Sequence, residues 1–249
     1  MLQNMPSPLI IAHRGYRARF PENTLAAFEG ALEIGAPMIE LDVTLTRDRQ
    51  VVVIHDETVD RTTDGRGRVA DLTLAELKSL DAGAWFDPRF AGERIPTLGE
   101  VLDLVGESAA VNIEIKPEAY ESHEPQDAVE FQVMALVQAR RAMARILISS
   151  FEPGVLLRLS RLESPPALGV LTEEPADAKR MDFCRQVNAF SWNPDHRGLR
   201  PDAVARMHRA GVRVFPYTVN SRRKMDALLD LGVDGLFTDD PRLLPHFLR

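Results

Sequence analysis

Met38-Ile39-Glu40-Leu41-Asp42-Val43 followed by Val51-Val52-Val53-Ile54-His55 is the stretch on which the fold turns. Both segments have strand character, and only the eight residues Val43 to Gln50 separate Asp42 from Val51. A parallel crossover needs about a dozen residues or more, so this pair is expected to form an antiparallel hairpin turning near Arg47-Asp48-Arg49. Seven further runs of strand character recur: Leu9 to Ala12, Val111 to Ile115, Ile146 to Ser149, Ala167 to Leu171, Ala189 to Trp192, Val212 to Tyr217 and Gly235 to Thr238. Between most of them lie segments of helical period: Thr24 to Leu32, Thr97 to Val105, Gln126 to Ala142, Pro153 to Leu162, Pro201 to Ala210 and Ser221 to Leu231. Asn23 reads as the N-cap of the first, and Gly35 as its end. Alternating strand and helix implies a parallel sheet. With Val51 to His55 assigned to the hairpin, eight strands remain, and a single-domain (β/α)8 TIM barrel over residues 1–249 is the solution of matching size.

The stretch from Asp56 to about Pro96 offers no barrel strand, only a turn at Thr62-Thr63-Asp64-Gly65-Arg66-Gly67 and a short helix at Leu74 to Leu80. It reads as an insertion after the second barrel strand, on the C-terminal face where barrel enzymes keep their chemistry.

The chain is 45% hydrophobic and 27% charged over 249 residues, which excludes disorder, and 30 basic against 37 acidic side chains give a net charge of −7. That balance disfavours nucleic acid or stable association with an anionic membrane, and directs any anion to a local cluster. The lone Cys184 cannot form an internal disulfide, and Met1 to Pro8 lacks the basic start and apolar run of a signal peptide. A cytoplasmic protein is expected; monomer and homodimer are not distinguished.

Polar residues stand where barrel strands are usually apolar. Period-two geometry puts Glu40 and Asp42 on one face, about 7 Å apart, and Asn112, Glu114 and Lys116 together on the next strand. Three converging carboxylates either raise their pKa values or hold a cation, and an oxygen-only set of Glu40, Asp42 and Glu114 suits one divalent ion, Mg²⁺ or Ca²⁺. The alternative is a hydrated rim at the strand ends. His13 closes the first strand and His55 the hairpin's return strand, which brings both toward the same mouth. Such a pair suits proton transfer, worth roughly 10²–10⁴ in rate for each group, although a single strand-end histidine is more often structural. Arg14 and Lys116 suit an oxyanion; the alternative is that they neutralise the carboxylates, and the two roles are compatible.

His13-Arg14-Gly15, Pro21-Glu22-Asn23-Thr24, Glu40-Leu41-Asp42, His55-Asp56, Glu114-Ile115-Lys116, Ser149-Ser150-Phe151 and Thr218-Val219-Asn220 together resemble, in order and spacing, the glycerophosphodiester phosphodiesterase family of the cytosolic bacterial type. The likeness runs from about Pro8 to Pro241 and includes Asp60-Arg61-Thr62-Thr63-Asp64-Gly65 in the insertion. It implies a TIM barrel that hydrolyses glycerophosphodiesters to sn-glycerol 3-phosphate and an alcohol. It also implies one divalent metal on Glu40, Asp42 and Glu114, an acid–base pair in His13 and His55, and phosphate contacts from Arg14 and Lys116. The insertion and residues such as Phe151, Asn193 and Tyr217 are expected to read the alcohol moiety. Tyr217 departs from the family pattern, which usually has Trp there. Similarity to related phosphoinositide-cleaving barrels implies that His13 is the base and His55 the acid, acting through a cyclic phosphate. Two other functions fit the same barrel: a lysophospholipase D or sphingomyelinase D activity, which needs an apolar groove, and a non-catalytic phosphodiester-binding role.

Overall fold

The computed structural model describes residues 2, 5, 7–173 and 177–247; Met1, Gln3, Asn4 and Pro6 of the leading segment lie outside them. The elements run β1 (Leu9–Ala12), α1 (Leu25–Glu33), β2 (Met38–Leu45), β3 (Val51–Val53), α2 (Leu74–Ser79), α3 (Leu98–Val105), β4 (Ala110–Ile115), α4 (Val129–Ala139), β5 (Ile146–Ser150), α5 (Pro153–Ser160), β6 (Ala167–Thr172), α6 (Ala178–Gln186), β7 (Ser191–Pro194), α7 (Pro201–Arg209), β8 (Arg213–Val214), α8 (Arg222–Asp230) and β9 (Gly235–Thr238). Parallel pairing follows the order β8-β7-β6-β5-β4-β2-β1-β9, and β3 pairs antiparallel with β2 through Val43↔Val53 and Leu45↔Val51. The eight parallel strands form a nearly closed barrel. Across the remaining gap Asp234 N–H donates to Val214 O at 3.0 Å and Phe237 N–H to Pro216 O at 3.0 Å. Pro216 has no N–H to offer in return, which accounts for the shortness of β8 beside the run from Val212 to Tyr217.

Alternation along the strands sorts the core into shells. Ile39, Leu41, Val43, Val111, Ile113 and Ile115 face outward and pack with the surrounding helices. Leu9, Ile11, Met38, Ala110, Leu147, Phe215 and Phe237 fill the bottom of the barrel, where Leu2 and Met5 pack against them. The insertion has its own small core of Val52, Ile54, Val59, Val69, Leu77, Ala82 and Ile95. Residues 56–96 contain α2 and two short 3₁₀ turns but no barrel strand.

Two expectations change. Helix α1 is capped by Thr24, whose hydroxyl accepts from Ala27 N–H at 3.2 Å, and not by Asn23. Asn23 has a left-handed φ of 57° and turns its amide to Asp42 instead. Helix α6 is an element that periodicity missed: Ala178–Gln186 is dominated by Lys, Arg, Asp and Gln, and carries too few apolar residues to mark a face.

The closing strand leaves no room for a side chain at Gly235, where a Cβ would stand 2.4 Å from Leu9 O. Because that contact is backbone in the β1–β9 ladder, Gly235→Ala is expected to destabilise the fold by about 1–3 kcal/mol in denaturant unfolding.

Candidate active site

The mouth of the barrel is built around a strained turn. Arg14, the second residue after β1, has φ 55°, a conformation that non-glycine residues seldom adopt. The turn directs the Arg14 backbone N–H at Glu40 Oε2, 2.8 Å away. The guanidinium reaches two acids at once, with Nη1 at 2.7 Å from Glu22 Oε1 and Nε at 3.3 Å from Asp42 Oδ2. Gly15 follows with φ 80°, and a Cβ there would fall 2.7 Å from the Ala27 backbone, so glycine alone fits between this turn and α1.

Opposite Arg14, Lys116 Nζ donates to Glu114 Oε1 at 2.8 Å and lies 3.4 Å from Asp42 Oδ1. Glu40, Asp42 and Glu114 each present an oxygen within 4.8 Å of the others, a cluster that could bind a metal ion. The three do not share charge evenly. Burial opposes ionisation of Asp42, but Arg14, Lys116, His55 and the Asn23 amide outweigh it and hold this carboxyl well below its usual range. Burial and then repulsion from Asp42 push Glu40 well up and Glu114 up to about 7. Glu40 Oε1 is buried and accepts no hydrogen bond. An unpartnered carboxylate oxygen beside two more acids, all hard oxygen donors, fits a divalent cation of the Mg²⁺ or Ca²⁺ kind.

Two histidines flank the cluster. His13 Nδ1 lies 2.7 Å from Asp239 Oδ1, and His55 Nδ1 lies 2.6 Å from Asp56 Oδ1. Each carboxylate is acceptor-only, so it fixes the proton on Nδ1 and leaves Nε2 for chemistry. Burial lowers His13 and His55 below the ordinary imidazole range, which leaves both neutral near pH 7 in the free protein. His55 arrives by the hairpin: Ile54 N–H donates to Asp42 O at 3.0 Å.

A cavity of about 1700 Å³ opens on this group, lined by His13, Arg14, Glu40, His55, Glu114, Lys116, Phe151 and Tyr217 among others. Its far side runs over the ends of β5 and β6 to Leu156, Leu157, Val170, Leu171 and Phe183. Phe151 and Tyr217 meet edge to face, ring centres 5.8 Å apart, and the Tyr217 hydroxyl donates to Thr172 O at 3.1 Å. Asn112 and Asn193 stand apart from this lining, buried in the barrel interior with amides that make no hydrogen bond. A Cβ at Gly169 would lie 3.0 Å from Asn193 Nδ2. Nine of the ten expected site residues thus gather at the mouth, and Asn193 sits beneath it.

Asp239, Arg17 and Arg61 were not among the expected residues. Asp239 follows β9 as His13 follows β1, and strand-end position was the available signal. Glu22, almost fully buried, collects Arg14, Arg17 and Arg61 within 2.7–2.9 Å.

A barrel whose C-terminal mouth joins three carboxylates, two carboxylate-bound imidazoles and two cations over one cavity defines a hydrolase of anionic esters. The model of the glycerophosphoryl diester phosphodiesterase family matches residues 13–243. A glycerophosphodiester phosphodiesterase of Caldanaerobacter subterraneus subsp. tengcongensis is 42% identical over 246 residues, covering 97% of this chain and 98% of that protein. A glycerophosphodiester phosphodiesterase of Bacillus subtilis is 36% identical, covering 96% and 87%. Among solved structures, an Oleispira antarctica phosphodiesterase in complex with the product sn-glycerol 3-phosphate has a TM-score of 0.89 at 29% identity, covering 97% of this chain and 96% of that one. The chain belongs to the glycerophosphoryl diester phosphodiesterase family, and is an enzyme.

The arginines around Glu22 carry a pH signature. Burial raises its carboxyl, but the Arg61 hydrogen bond and the charges of Arg14 and Arg17 outweigh it and bring it from 4.5 down to about 2. As pH falls, the unfolded chain takes up this proton first, so the contribution, about 3 kcal/mol, is whole above the ordinary carboxylate range and is lost toward pH 2. Glu22→Gln is expected to flatten stability against pH between those limits, read by denaturant midpoints at stepped pH.

Proposed function

We propose that this enzyme hydrolyses glycerophosphodiesters to sn-glycerol 3-phosphate and an alcohol in a metal-dependent reaction, with His13 and His55 as its acid–base pair. The observation that carries this reading is the pairing of the two imidazoles, each locked at Nδ1 by its own carboxylate, on one cavity with Arg14 and Lys116. The product bound to the Oleispira antarctica neighbour agrees with it in chemical class.

In this mechanism Arg14 and Lys116 bind the phosphate oxygens and offset the negative charge that blocks nucleophilic attack. Glu40, Asp42 and Glu114 would hold the cation, which supplies further charge stabilisation at phosphorus. His13, the more buried imidazole, removes the proton from the glycerol 2-hydroxyl through Nε2, and that oxygen attacks phosphorus. His55, whose side chain is 32% exposed against 13% for His13, stands toward solvent, where the leaving alcohol departs with its proton. The charge of the bound diester favours the imidazolium that His55 needs for this step. Water then opens the cyclic phosphate with the two roles exchanged. Phe151 and Tyr217 form an aromatic wall for the organic part of the substrate.

One observation favours a second reading. Small-molecule sites usually measure about 300–1,000 Å³, and this cavity, at about 1700 Å³, continues over Leu156, Leu157, Val170 and Phe183. These apolar side chains suit a substrate with an acyl chain, as in a lysophospholipase D, while Lys179, Arg180 and Asp182 in the same lining give that side a charged rim. Comparison of glycerophosphocholine with lysophosphatidylcholine discriminates: a higher kcat/KM on the lysolipid would favour the second reading.

His13→Ala and His55→Ala are each expected to lower kcat on glycerophosphocholine by roughly 10²–10⁴. Wild-type turnover by both variants would refute the acid–base assignment. Chelation is expected to abolish turnover, and re-addition of Mg²⁺ or Ca²⁺ to restore it. A diester without a hydroxyl beside the ester should react far more slowly, and equal rates would exclude the cyclic route.

A further inference from the structure

Arg61 lies outside the cavity lining, yet it joins both halves of the site. It comes from the insertion, in Asp60-Arg61-Thr62-Thr63, and its guanidinium engages two carboxylates together. Nε and Nη2 donate to Asp56 Oδ2 and Oδ1 at 2.6 and 2.9 Å. Nη1 and Nη2 donate to Glu22 Oε2 and Oε1 at 3.0 and 2.7 Å. Asp56 is the carboxylate on His55 Nδ1, and Glu22 is the carboxylate on Arg14 Nη1. One planar fork therefore ties the imidazole to the phosphate-binding guanidinium through two short ion pairs.

We infer that Arg61 is a positioning residue, a bridge from the insertion that sets the distance and orientation of His55 relative to the phosphate held by Arg14. The inference rests on the functional reading above. Only a guanidinium serves here, because four donated hydrogen bonds in one plane reach two acids, and a lysine ammonium is a point charge with no such fork. Glu22 keeps Arg14 and Arg17 when Arg61 is removed, so the phosphate end of the bridge stays held. Asp56 loses its stronger partner, and the imidazole with it loses its orientation. The deficit should therefore fall on turnover and not on phosphate affinity.

The test uses the full chain with its metal supplied and glycerophosphocholine as substrate. Arg61→Ala and Arg61→Lys are expected to lower kcat about 30-fold or more, while inhibition by sn-glycerol 3-phosphate stays within about threefold of wild type. Added guanidinium at millimolar concentration should recover part of the Arg61→Ala loss in the same folded sample, and ammonium should not. Near-wild-type kcat in Arg61→Lys would reduce Arg61 to a mere positive charge and overturn the bridge. So would an Arg61→Ala loss that guanidinium leaves unchanged and that follows a lowered melting temperature. A wild-type chain inactive on every glycerophosphodiester refutes the functional reading itself, whereas an active wild type with an equally active Arg61→Ala refutes the bridge alone.

Discussion

Three carboxylates buried within 4.8 Å of one another are the constraint that the rest of the mouth answers. Removing such charges from water costs several kcal/mol each unless partners stand ready. Three residues supply them: Arg14 after β1, through its guanidinium and its backbone N–H, Asn23 before α1 and Lys116 after β4. Arg14 adopts a left-handed backbone to serve two acids with its side chain and a third with its N–H. Even so, Glu40 Oε1 has no hydrogen-bond partner, and Glu114 is pushed up to about 7. A site that leaves its acids under-compensated in this way could hold a metal ion.

The strain is tolerated because stability is supplied elsewhere. Below the mouth the barrel is filled by Leu9, Ile11, Met38, Leu147, Phe215 and Phe237, and outside it the strands pack on the helices. The same strands carry both duties by alternation: Met38 belongs to the plug, Glu40 and Asp42 to the site, Ile39 and Leu41 to the helical layer. A one-residue slip in β2 would exchange these sets, so the register Glu40↔Asn112 and Asp42↔Glu114 is fixed by core burial as much as by backbone pairing. The hairpin then uses the outer end of the same strand to deliver His55.

What could be read from the sequence follows the range of each interaction. Chain length across Val43 to Gln50 and the period of two along β2 and β4 are local, and they yield the hairpin, the eight barrel strands and the carboxylate face. Asn23 has a local reading as a helix cap that competes with its long-range bond to Asp42, and Thr24, one residue on, takes the cap. Asp239 meets His13 across 226 positions of sequence, and Arg61 meets Glu22 across 39. Neither partner is implied by spacing. Helix α6 escaped because its contacts come from Phe183, Cys184 and neighbours too few to mark a period.

Tyr217 stands in the cavity wall at the position where the resemblance to the family implies Trp. A phenol hydroxyl in a pocket ordinarily adds a polar contact for ligand. Here the hydroxyl donates to Thr172 O, and the ring stands edge to face with Phe151, so the side chain's hydrogen-bonding group is occupied by the barrel. Burial raises the phenol further from ionisation, so it contributes no charge. The aromatic wall therefore differs from a tryptophan wall in size, and its hydroxyl proton is already committed to Thr172 O, which leaves the oxygen only as an acceptor. The cavity runs on from this wall toward β6, α5 and α6, past Leu156, Leu157, Val170 and Phe183 and also past Lys179, Arg180 and Asp182, so a group reaching that far would meet apolar and charged side chains together.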